Sequence, residues 1–166
     1  MKYLKYTLLC FLFMGTLSIQ AQKMNNKGIQ KVLESQVDSI DGGNGFWQYL
    51  YKDRLMLLLT DESNNRMRIV TPIMEMKELT PELMMASLAA NFHTALDVKY
   101  AISEEVVWSV FIHPLKELSE PQLIDALSQV YNAAETFGKT FSSTDLFFPA
   151  SPGDDAKEEQ KREKKM

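Results

Sequence analysis

Cysteine is nearly missing from this 166-residue chain: Cys10 stands alone. Past that position no disulfide can staple a fold and no thiolate can serve as nucleophile or metal ligand, so an apolar core must do the holding. Histidine is almost as scarce, with only His93 and His113. A metal centre needs three or four ligands. His93, on a helix flank turned from the main apolar stripe, and His113, at a strand end before Pro114, read instead as surface residues. Positive charge is also short, at 18 Lys and Arg against 22 Asp and Glu. The formal charge is −4, and removal of Lys2 and Lys5 with a leader would make it −6, which disfavours nucleic acid as a partner. Long hydrophobic runs are absent but for Tyr6 to Ile19, shorter than the roughly 20 residues that span a bilayer.

That one run sits in "MKYLKYTLLCFLFMGTLSIQAQ". Lys2 and Lys5 precede it and Ala21 offers a small residue for cleavage, so residues 1–21 read as a signal peptide. Cys10 lies inside the apolar stretch after Leu9, which does not suit a lipoprotein site. The expectation is Sec export to the periplasm or exterior of a Gram-negative cell, with no stable membrane span after cleavage. A retained anchor is the alternative. At the other end, "SPGDDAKEEQKREKKM" balances five acids with five bases and has almost nothing to bury. Residues 143–166 therefore read as an arm, carrying Leu146, Phe147 and Phe148, followed by a charged tail.

Residues 22–142 between these ends suit one domain. Asn25 and Asn26 can cap a helix to about Gln36. "DGGNG" breaks the chain, and "FWQYLYKD", "RLMLLLTD" and "RMRIVTPIMEM" follow as strands with short polar turns between them. Thr80 and Pro81 open a second helix with Met84, Leu88, Phe92 and Ala95 on one stripe. "DVKYAIS" and "EVVWSVFIHP" form a second hairpin. Ser119 caps a last helix, where Leu123, Leu127, Val130, Ala134, Phe137 and Phe141 recur at three and four residues. The order α-β-β-β-α-β-β-α predicts an α+β domain with an antiparallel sheet of about five strands and three helices.

Chemistry finds little purchase. Ser109 and His113 share a strand face but stand roughly 13 Å apart. No G-x-S-x-G elbow surrounds the serine, and the "GGNG" glycines lack the helix and lysine of a phosphate loop. Glu104-Glu105 and Asp154-Asp155 are adjacent carboxylates more simply solvated than paired. No catalytic, cofactor-binding or metal residue is assigned, and the chain does not read as an enzyme. "VVWSVFIH" is apolar on both faces, where a sheet with one wet face should alternate. The strand reads first as buried structure, with Trp108 in a core, and then as a surface for another chain. Candidate interaction residues are Val107 and Phe111 on the strand, Ala86, Ala89 and Ala90 in the small-residue run "ASLAA", and Phe147 and Phe148 on the arm.

The element order, with "NNRMRI" after the hairpin, "AANF" in the helix, and the aromatic strand before a long final helix, resembles the YbjN-like family of bacterial sensory transduction regulators. The likeness covers about residues 26–142. It implies a fold of the type III secretion chaperone kind and a non-enzymatic, often dimeric module that binds protein segments without a cofactor. An exported protein-binding or chaperone-like module of unknown partner, prone to self-association, is the leading expectation. A carrier of a small apolar ligand, suggested by clustered methionines such as Met74, Met76, Met84 and Met85, comes second, and an envelope hydrolase third.

Overall fold

The computed structural model describes residues 23–146. The leader, Phe147, Phe148 and the charged tail lie outside the described residues. Helix α1 spans Asn26–Gln36, with the Asn25 side chain accepting from the Gly28 amide at 2.9 Å and Ile29, Val32 and Leu33 buried. Strands β1 (Ser39–Gly43), β2 (Phe46–Tyr51), β3 (Arg54–Asp61) and β4 (Arg66–Glu75) follow as a meander. After a short 3-10 turn at Met76–Glu78 come helix α2 (Pro81–His93), strands β5 (Val98–Ser103) and β6 (Val106–His113), and helix α3 (Glu120–Thr136).

All strand pairs are antiparallel, and the sheet order is β1-β2-β3-β4-β6-β5. The fold class agrees with the sequence pattern, but there are six strands rather than about five. The extra one is β1, hidden in "SIDGG". Its turn to β2 is Asn44-Gly45, with φ of 52° and 108°, the left-handed pair that a two-residue hairpin demands and that Asn-Gly supplies best. Gly42 is fixed by contact: at φ 97°, a Cβ there would lie 2.4 Å from the Phe46 carbonyl oxygen. Lys52-Asp53 and Glu104-Glu105 turn their hairpins through the same left-handed region, at about 1 kcal/mol of strain per residue. Those turns are therefore held by the strands they join.

Helices α1 and α3 pack on one face of the sheet. Trp47, Tyr49, Met56, Leu58, Met67, Ile69, Val107 and Phe111 are buried beneath them. Two hydroxyls stitch α3 to the strands: Ser109 donates to the Val130 carbonyl at 2.9 Å, and Tyr100 to that of Ala133 at 2.9 Å. Helix α3 opens with a capping box in which Ser119 and Gln122 satisfy each other's backbone amides. It stops at Thr136, so Phe137 and Phe141 are not part of its stripe. Gly138, at φ 75°, reverses the chain, and both rings return edge-on to Tyr100 with centroids at 5.2 and 5.9 Å.

Candidate protein-binding surfaces

The register places the other sheet face in view. Across it run Phe46 beside Leu59, Leu50 beside Leu55, Leu57 beside Val70, Val70 beside Val110, and Arg68 beside Ile112. Phe46, Leu50, Leu55 and Ile112 are exposed, the last at 60%, while Leu57, Leu59, Val70, Val106, Trp108 and Val110 are half-buried. No described helix packs over this face, because α1 and α3 lie opposite and α2 runs beside β5. Arg66, Arg68 and Lys99 stand on the same side toward one end, with Asp61 opposite Arg66 and Asp97 beside Lys99, so that end of the apolar band carries both signs of charge.

Strand parity then corrects the sequence reading. Val107 and Phe111 point into the covered face, at 2% and 5% exposure, and cannot meet a partner. Their neighbours Val106, Trp108, Val110 and Ile112 hold the available positions. Trp108 is not a core residue: it is half-buried on the open face, its indole N–H donating to the Ser103 carbonyl at 3.1 Å. The core tryptophan is Trp47, whose indole N–H bonds to the Gln30 side chain of α1.

Helix α2 forms the second surface, and it is turned the opposite way from a usual amphipathic helix. Its buried residues are small, Ser87 and Ala90, while Met84, Met85, Leu88 and Phe92 face out. Exposures of 64%, 57% and 68% at Met85, Leu88 and Phe92 define a stripe at the i, i+3, i+7 spacing of a helix face awaiting cover. Of the "ASLAA" residues, Ala89 is exposed, Ala86 half-buried and Ala90 buried against the domain itself. Ala90 is thus removed from the candidate interface, and Ala95, past the helix end, is fully buried. Helix α2 is held to the edge of β5 by Asn91, whose side chain donates to the Tyr100 carbonyl at 3.2 Å and accepts from the Tyr100 amide at 2.8 Å.

The titratable groups among the described residues lie apart. Asp97 and Glu117 each stand four residues after a histidine, yet among the described residues no group of three or more His, Cys, Asp or Glu could hold a metal. His113 stacks on Phe111 and His93 meets Phe92 edge-on. Glu135 is held below the usual carboxylate range by its hydrogen bond and charge pairing with Arg54. Burial pushes the Tyr49 phenol up strongly, with the neighbouring Tyr51 adding to it, and its hydroxyl has no hydrogen-bond partner among the described residues. A recess of about 710 Å³ beside Tyr51, Pro121 and Ile124 is an open groove rimmed by Glu120 and Asp125. That is not the enclosed apolar chamber a lipid carrier needs. Among the same residues, no helix is long and apolar enough to cross a membrane.

No family model matches this chain, and no curated protein matches it in sequence. Solved structures do match it in shape. A chain of the HopA1–SchA chaperone–effector complex superimposes with a TM-score of 0.51 at 12% identity, over 64% of this chain and 87% of that one. A chain of the Yersinia pestis type III secretion chaperone SycH, solved with a stable fragment of YscM2, gives 0.53 at 11%, over 68% and 98%. An uncharacterized protein from Methanothermobacter thermautotrophicus gives 0.53 at 11%, over 68% and 93%. At such identities the similarity concerns the fold: this chain has an α+β fold like that of type III secretion chaperones.

Proposed function

We propose that this protein is a non-enzymatic, chaperone-like module that binds segments of other polypeptides on the open face of its sheet. The observation that carries this reading is the uncovered apolar band from Phe46 and Leu50 to Trp108 and Ile112. Large apolar side chains stay in water at a cost of roughly 1.5–3 kcal/mol each relative to full burial, so a band of this kind favours any chain that can cover it. The chaperone-like fold supports the reading, since similar folds occur in a chaperone–effector complex and in a complex with a fragment of YscM2. Membership of the YbjN-like family, which residues 26–142 resemble and no family model shows, would imply the same kind of binding.

A second reading, self-association, is favoured by the outward stripe of α2. On this reading Met85, Leu88 and Phe92 of two copies meet, with Ala89 permitting close approach. Export through the Sec route belongs to the proposal too, and rests on residues 1–21. Intact-mass analysis of protein recovered from the envelope fraction tests it, with a mature chain starting at Gln22 as the expected result.

The binding test uses the full chain with Leu50→Glu, Leu55→Glu and Ile112→Glu together. These three positions are exposed, so the fold and melting temperature should hold. Wild-type protein should suppress aggregation of an unfolding model polypeptide at stoichiometric ratio, and the triple variant should not. Equal protection by both proteins would reject the sheet face as the binding surface.

A further inference from the structure

The end of the described chain lies at the C-terminal end of α2. Past α3 the chain returns to the C-terminal end of α2 and is pinned there. The Thr94 hydroxyl donates to the Phe141 carbonyl at 2.6 Å, the Ser143 amide donates to the Thr94 carbonyl at 3.2 Å, and the buried Ser143 hydroxyl donates to the Ala95 carbonyl at 2.9 Å. Phe92, the exposed end of the stripe, lies only two residues before Thr94. Three residues after Ser143 comes Leu146, 63% exposed, and then Phe147 and Phe148.

We propose that the arm Leu146-Phe147-Phe148 folds back along α2 and covers Phe92, Leu88 and Met85. The lengths agree. Seven helical residues from Met85 to Phe92 rise about 10 Å, and three to four extended residues cover about 10–13 Å. The demands agree as well: Leu146 is exposed and the sequence continues with two phenylalanines, while the stripe of three large apolar residues on α2 is exposed too. Pro149 then keeps the arm from continuing as helix, and from Ser151 the sequence turns polar. The occupant is therefore this chain's own segment, ahead of a second copy or a foreign peptide.

Regulation follows if the stripe is also the self-association surface, a step that rests on the second reading above. An arm tethered a few residues away acts at an effective concentration on the order of millimolar, so a second copy reaches α2 only when the arm leaves. The arm would then set the concentration at which copies pair.

The test uses the full chain with benzoylphenylalanine introduced at Phe147 and a mixture of light and heavy isotope-labelled protein. Illumination should give crosslinks within one chain, onto the Pro81–His93 segment. Crosslinks between chains, or onto the sheet, or none to α2, would overturn the proposal. In parallel, Phe147→Asp with Phe148→Asp should raise binding of a hydrophobic dye and tighten self-association by roughly tenfold, as loss of a millimolar competitor implies. Adding Leu88→Glu and Phe92→Glu to that variant should return dye binding to its starting level. A rise in dye binding that persists in the combined variant means that the arm covers some other surface, and the proposal fails. Crosslinks to α2 with no change in self-association uphold the cover and remove the pairing role of α2 instead.

Discussion

Trp47 and Trp108 lie on opposite faces of one sheet. Trp47 is 1% exposed, bonded to Gln30 and roofed by α1, while Trp108 is half-buried and spends its N–H on the backbone of its own hairpin. The strands around them are apolar on both sides, so the difference does not come from composition. It comes from where α1 and α3 land. A residue on one face is held by helices of this chain, and a residue on the other awaits a cover the described domain does not supply. Covered and open apolar surface are thereby divided between two sides of the same strands.

This contrast can be broken by experiment, most strongly at Trp47. Trp47→Ala should destabilise by about 3–5 kcal/mol, as expected for emptying a packed aromatic site, measured by urea unfolding. Next is Tyr100→Phe, which removes a buried hydrogen bond to Ala133 and should cost about 1–2 kcal/mol. Burial holds the Tyr100 phenol up at about 12. The neutral form is thus favoured in the folded state, and stability should fall as pH rises from the unfolded value near 10 toward 12. In Tyr100→Phe that part of the alkaline loss should vanish, which a melting series across this range would reveal. Trp108→Ala should cost no more than about 1 kcal/mol, because much of the ring already meets water. A loss as large as that at Trp47 would mean that the open face is core after all. Smallest is Arg54→Met: its exposed pairing with Glu135 bridges β3 and α3, and such contacts contribute about 0–1 kcal/mol. A melting temperature lowered as much as by Tyr100→Phe would show the bridge to be structural.

The fold was legible where local chemistry was unambiguous. Ser119 and Thr80 cap their helices as their sequences suggest, and Leu123, Leu127 and Val130 are the buried stripe of α3. Strand β1 was missed because Asp41, Gly42 and Gly43 lack the side chains that mark strands, although Asn44-Gly45 was a legible hairpin signal. The candidate site was less legible. Period-two alternation separates Val107 and Phe111 from Trp108 and Ile112, but when both sets are apolar it cannot say which faces the helices. Helix α2 misled for a related reason. Its large residues look like a core stripe, whereas its edge-on seat against β5 accepts only the small side chains of Ser87 and Ala90.

Asn91 carries one further consequence. Its amide side chain answers both the N–H and the C=O of Tyr100 on the outer margin of β5, doing for one residue what a seventh strand would do. A protein that displays an apolar sheet face risks being zipped, copy onto copy, into a continuous ribbon. At Tyr100 the Asn91 carboxamide occupies the two edge groups that a further strand would use. Asn91→Leu should leave the interior packed but free the Tyr100 N–H and C=O, which faster hydrogen exchange at the Tyr100 amide would reveal.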